Sequence, residues 1–230
     1  MQLIEKNCFN VRSAVYHLKR DGAPDFFLFP MIHVGTQAFY DEIARRLTAC
    51  DLVLAEGVAS KRANLLTLSY RIVKRIKRMD LVTQQDAMKR CAFHGKIINA
   101  DMAGDAFDAG WSSLPLSLRL QLFFLIPVYI LYLLLFGTRQ TLAKNIALED
   151  LPSQEETLFD DDHFADLDGL LIDERDRTLL AHIKRVYESG GHKTVGVIYG
   201  ARHMRNAVDF VLRNLNYHVA KAEWVTVFDL

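Results

Sequence analysis

The chain reads as an α/β protein: a mostly parallel central sheet flanked by helices, with an apolar helical insertion in the middle. Three observations predict this. Short runs of β-formers alternate with helix-period segments along 230 residues. Half of the residues are hydrophobic, enough to bury a sizeable core. Between Arg119 and Arg139 the alternation is interrupted by 19 uncharged residues. One α/β domain over 1–230, with an insertion at 112–146 that dips into a membrane as a hairpin or joins two subunits, is the expected organisation.

Strands are predicted at about 11–18, 25–32, 51–55, 96–100, 194–199 and 218–228. The segment "QAFYDEIARRLTAC" places Phe39, Tyr40, Ile43 and Leu47 on one face, and "MRNAVDFVLRNL" does the same with Val208, Val211, Leu212 and Leu215. Both show the three-to-four spacing of a buried helix face. Thr36 is the expected N-cap of the first.

From Lys61 to Met79 the pattern is again helical, with Leu65, Leu68, Ile72, Ile76 and Met79 opposite Arg71, Lys74, Arg75 and Arg78. Seven basic residues and no acidic one occupy this segment. It reads either as a solvated surface face or as a surface for anionic lipid head groups. Nucleic acid is not expected as a partner, because no recognition motif or stacking pattern accompanies the charge. The stretch from Glu149 to Asp176 carries twelve carboxylates and reads as a connection. Its run Asp160, Asp161, Asp162, His163 is read as solvated acids in preference to a metal site.

The block "LQLFFLIPVYILYLLLFGT" is about as long as the hydrocarbon layer of a bilayer is thick. Three readings remain open: a hairpin entering one leaflet, with Pro127 at its break, a helix packed on a second subunit, or a true span. The basic segment favours a membrane face. Acidic and basic residues balance at 28 each, so net charge points to no partner. Cys8, Cys50 and Cys91 form no CxxC pair, which excludes a disulfide scaffold and a cysteine zinc site. The first ten residues lack the apolar core of a signal peptide, so the soluble part is expected in the cytoplasm.

In open parallel sheets, ligands bind beyond the carboxyl ends of the strands. His33 follows "DFFLFPMI", Glu56 follows "DLVLA", Asp101 follows "KIINA" and His203 follows "TVGVIYGA". Four strands thus deliver two imidazoles and two carboxylates to one edge. That is a normal donor set for a divalent zinc, manganese, iron or cobalt ion with an open position for water. Bound water becomes a nucleophile near neutral pH, and a spare carboxylate moves its proton. His94 precedes a strand and falls at the other edge, and His17, His182, His192 and His218 show no partner pattern. Arg175 or Arg177 of "DERDR" can turn inward toward a carboxylate or a substrate anion, or pair on the helix surface.

The stretches "IHVGTQAFYDEIARRLTACDLVLAEGV", "NADM", "LLIDERDRTLLAHI" and "VGVIYGARHMRNAVDFVLRNLNYHV" resemble the TraB, PrgY and GumN family, related to the TIKI proteases. That family carries two distant GxxH motifs and a glutamate after the second core strand. Here the second motif is intact in Gly200, Ala201, Arg202 and His203, whereas Pro30 replaces the glycine of the first, in Pro30, Met31, Ile32 and His33. The resemblance implies a membrane-associated, metal-dependent hydrolase acting on a peptide or small molecule. His33 and His203 would be metal ligands, Glu56 a ligand or general base, and Asp101 and Arg175 catalytic support. A non-catalytic protein that sequesters a peptide signal is the alternative, and haem binding, known in distant relatives, a weaker one.

Overall fold

The computed structural model describes residues 1–89, 95–146, 167 and 169–230. Cys91, His94 and the run from Asp160 to His163 lie outside the described residues. All six expected strands form, as β2 (Asn10–Lys19), β3 (Asp25–Met31), β5 (Leu52–Ala55), β7 (Lys96–Asn99), β8 (Thr194–Gly200) and β9 (His218–Asp229). Three shorter ones accompany them: β1 (Ile4–Lys6), β4 (Val34–Gly35) and β6 (Val82–Thr83).

Strands β3, β8, β5 and β7 run parallel in that order, and they are the runs richest in Val, Ile, Leu and Phe. Such strands are buried on both faces, and β3 and β8 show it: Phe26, Leu28 and Phe29 are fully buried, as are Val195, Val197 and Tyr199, with Ile198 buried on the other face of β8. The antiparallel part is built on β2, which pairs with β9 along its whole length and with β1 and β3 over shorter stretches. Because β8 enters between β3 and β5, the strand order reverses there, and open α/β sheets bind ligands beyond the carboxyl ends of the strands at such a point. The register aligns those ends: Met31 opposes Gly200, and Ala55 opposes both Ile198 and Asn99.

Helix α1 (Gln37–Leu47) follows β4, and the Thr36 hydroxyl caps it by accepting from the Phe39 amide at 3.3 Å. Phe39, Tyr40, Ile43 and Leu47 are buried as their spacing predicts. The basic segment is not one helix. It forms α2 (Lys61–Leu66) and α3 (Leu68–Val73), then tight turns in which the amides of Ile76 and Met79 bond to the carbonyls three residues back. A three-residue repeat stacks side chains on one line, so Val73, Ile76 and Met79 are buried together. Asp80, at φ 49°, ends the run.

After α4 (Gln84–Met88) and β7 come α5 (Gly104–Ser113), α6 (Leu116–Phe136) and α7 (Arg139–Lys144). Helix α6 is continuous through Pro127, so the apolar block does not form the hairpin that proline suggested. A mid-helix proline costs about 3 kcal/mol. Burial of Leu118 and Leu133, at about 1.5–3 kcal/mol each, offsets it. This is the one described helix long and apolar enough to cross a membrane, and most of it is exposed. The chain then enters α8 (Glu174–Ser189) from a π-turn at Gly169–Asp173, and α9 (Ala201–Asp209) follows β8.

Candidate functional site

The edge beyond β3, β8 and β5 brings the five residues singled out above together around Glu56, which Arg175 joins to Asp101 and which lies in the field of His33 and His203. This guanidinium enters from the first turn of α8. Its Nε donates to Asp101 Oδ1 at 2.9 Å, and its Nη2 donates to Asp101 Oδ2 at 2.7 Å and Glu56 Oε1 at 2.5 Å. Asp101 also accepts from the amides of Met102 and Gly57. The second Glu56 oxygen accepts from the Gly200 amide at 2.7 Å. Arg175 therefore turns inward to carboxylates of the protein itself, while Arg177 stays exposed.

The charges are arranged to keep both acids ionised. Burial alone would push the Glu56 carboxyl up, but the positive charge that His33 carries when protonated, the Arg175 guanidinium and the like charge of a protonated His203 outweigh it and hold Glu56 below the ordinary carboxylate range. Burial opposes the Asp101 carboxylate too, and the hydrogen bond and charge of Arg175 overcome it. Arg175 stays protonated far above its ordinary range, since its bonds to these acids outweigh its own burial.

Each histidine has one ring nitrogen pinned. His203, on α9 and almost fully buried, places Nδ1 at 2.6 Å from Asp176 Oδ1, and Asn206 donates to the other Asp176 oxygen. His33 places Nδ1 at 3.3 Å from Gln84 Oε1, while its backbone carbonyl accepts from the Gln84 amide and its ring tilts against Tyr70. An acceptor at Nδ1 selects the tautomer with a proton there, leaving Nε2 with a free lone pair. Tyr199 lies beside them, its ring roughly perpendicular to that of His203 and its face under Arg175. Its hydroxyl is buried beside Asp101, close enough to favour the Asp101 charge, without a well-formed hydrogen bond.

The second GxxH glycine has a physical reason. A Cβ on Gly200 would lie 3.3 Å from Glu56 Oε2 and 3.4 Å from the His203 ring, tighter than side chains normally pack. Gly200→Ala is expected to displace both groups by a few tenths of an ångström and lower activity about tenfold or more, with the melting temperature nearly unchanged. Pro30, in place of the other glycine, is accommodated. Pairing of β3 with β2 stops at Leu28, and the Ser13 hydroxyl takes up the Pro30 carbonyl at 2.6 Å.

Among the described residues no group of three His, Cys, Asp or Glu side chains is disposed to hold a metal ion. An imidazole nitrogen left without a partner is by its chemistry a donor for a divalent cation. Each Glu56 oxygen is already engaged once, which leaves each a second lone-pair site.

No family model, curated protein or solved structure matches the chain. Its site therefore has to be read from its own residues. The other described histidines stand apart: His17 pairs with Asp25 and His192 faces Asp51, both at the opposite ends of the strands. Burial pushes the Cys50 thiol up to about 12, which removes it as a nucleophile.

Sequence reasoning missed Asp176, Gln84 and Tyr199. Asp176 was findable, because the buried stripe Leu179, Ile183 and Val186 extends back to it. Gln84 gives no such signal. It reaches His33 because β6 pairs with β4, two residues against two.

Proposed function

We propose that this chain is a hydrolase working at a membrane surface on a peptide or small molecule, with His33, Glu56 and His203 as its reactive groups. One observation carries the reading. A buried carboxylate, held ionised by a guanidinium it shares with Asp101, lies within the field of two histidines whose Nε2 atoms are left free. Acids shifted by burial and by a specific charge partner, at the carboxyl edge of an open sheet, are the groups to which a site of chemistry is assigned. The resemblance to the TraB, PrgY and GumN family points the same way.

In this reading His33 and His203 hold a divalent cation such as manganese, cobalt, zinc or iron through Nε2. That ion, when bound, supplies the charge that acidifies water and polarises a carbonyl. Glu56 takes the proton of the attacking water and later returns it to the leaving group. Arg175 keeps Glu56 ionised between turnovers, Asp101 holds Arg175 in place, and the Gly200 amide fixes which Glu56 oxygen faces the reaction. Asp176 and Gln84 set the two tautomers.

Metal analysis of purified protein tests the ligand assignment. Wild type loaded with manganese or zinc is expected to retain about one ion per chain. His33→Ala and His203→Ala are expected to retain none, and Asp176→Asn to bind about 10–100-fold more weakly. Wild-type protein that holds no ion under any loading condition removes the metal from the reading.

Contact with a membrane is the second part of the proposal, carried by the exposed apolar face of α6 beside the basic segment. Large exposed apolar surface marks a protein or membrane contact. A second copy of the chain is the competing occupant.

A further inference from the structure

Helix α6 is apolar all round, yet only one line of it faces the protein. Leu118 and Leu133 are fully buried, and Leu122, Ile126, Tyr129 and Ile130 between them are half-buried, a three-to-four spacing that runs the length of the helix. Its two ends are tied to the same body. Leu118 packs with Phe107, Trp111 and Leu170 in a small cluster, and Leu133 belongs to the main core. At the far end Arg78 donates to the carbonyls of Gly137 at 2.6 Å and Leu134 at 3.0 Å, and the Asn145 amide donates to the Tyr129 hydroxyl. The opposite face exposes Leu120, Phe123, Phe124, Val128, Leu131 and Leu135.

A helix fastened to the protein at both ends cannot cross a bilayer without taking its neighbours with it. The neighbour here is the basic segment, where Arg71, Lys74, Arg75, Lys77 and Arg78 are all exposed. In the hydrocarbon those charges would be strongly unfavourable, whereas at the level of anionic head groups each is favourable. A second feature points to the same ligand. The groove between α5 and the start of α6, lined by Trp111, Leu116, Leu120 and Phe123, also holds Arg119, whose Nε is buried without an acceptor. An apolar slot with an unsatisfied cationic donor matches a phospholipid: acyl chain along the aromatics, phosphate on the guanidinium.

We propose that α6 lies flat in one leaflet of an anionic bilayer, parallel to its surface, with Arg119 and the strip from Arg71 to Arg78 on lipid phosphates. This rests on the membrane contact proposed above and adds its geometry and its lipid. It also brings the site close to the lipid, since α3 touches both: Tyr70 lies against His33, and Arg78, just past the end of α3, holds the end of α6.

The test uses the full chain with vesicles of phosphatidylcholine, with and without phosphatidylserine. Binding is expected only when phosphatidylserine is present. Arg71→Gln, Arg75→Gln and Lys77→Gln together are expected to weaken it by about two orders of magnitude, and Arg119→Gln to weaken it further. Spin labels at Leu120→Cys, Val128→Cys and Leu135→Cys, with the native cysteines replaced by alanine, are expected to report one shallow depth. Depths that increase steadily from 120 to 135 overturn the flat geometry but leave membrane contact standing. No vesicle binding, with the labels shielded in a dimer, overturns both.

Discussion

Arg175→Met lowers the stability of the fold by about 3–5 kcal/mol at pH 7, the usual cost of removing one partner from a buried ionic network. The size follows from burial: the Asp101 side chain is fully covered and that of Glu56 is 10% exposed, so water screens neither acid once the guanidinium is gone. The pH dependence gives the sign. In the wild type both carboxyls titrate below their ordinary values. Their stabilisation is therefore present above about pH 4 and lost as the pH falls through the folded-state values. In the variant burial is less opposed at both acids, with only the Tyr199 hydroxyl and backbone amides left to favour the Asp101 charge, so both pKa values rise and the deficit shrinks as acid protonates them. Urea unfolding at pH 7 and at pH 4 measures both effects. A midpoint at pH 7 equal to that of the wild type contradicts the buried network. The same change moves the acid limb of any activity profile to higher pH, because Glu56 then protonates sooner.

Glu56→Gln reduces hydrolysis by about 10²–10⁴-fold, the range of a lost general base. The substitution is nearly isosteric. Its side-chain oxygen still accepts from the Gly200 amide, its NH2 group cannot accept from Arg175, so that one bond is lost, and Arg175 keeps both bonds to Asp101. Structure and ligand binding are thus expected to survive while turnover does not. A protein that only sequesters a peptide responds differently, since its affinity is retained and there is no turnover to lose. Equal hydrolysis by wild type and variant removes Glu56 from the chemistry.

The frame of the site was legible because it is built by strands. Each of His33, Glu56, Asp101 and His203 follows a run of β-formers, and parallel strands that share a sheet end at one edge whatever their neighbours do. Arg175 was visible as a basic residue opening an amphipathic helix, but its direction was not. Which side of α8 faces the sheet is set by Leu179, Ile183 and Val186, and that stripe also points to Asp176. Gln84 and Tyr70 were not legible, since they reach His33 through the two-residue pairing of β4 with β6 and through packing of α3. Pairing that short leaves no period to read.

The apolar block shows another limit of sequence. Its hydropathy is uniform around the helix, so no pattern marks which line of side chains packs on the protein. The line of Leu118 and Leu133, buried, with Leu122 and Ile126, half-buried, is a fact of tertiary structure. Pro127 misled in the same way. A proline ends a helix that stands alone, but packing keeps this one continuous through it. The basic segment departed from expectation because a three-residue repeat of apolar positions serves tight turns as well as it serves a helix.

Digestion of a random decapeptide library in H₂¹⁸O, with manganese supplied and phosphatidylserine vesicles present, tests the central claim most directly. A hydrolase built on His33, Glu56 and His203 leaves fragments carrying one ¹⁸O in each new carboxyl group. Those fragments are expected to be absent with Glu56→Gln and with His203→Ala. The same labelled fragments from wild type and from both variants, or library peptides that bind the wild type and stay whole, contradict it.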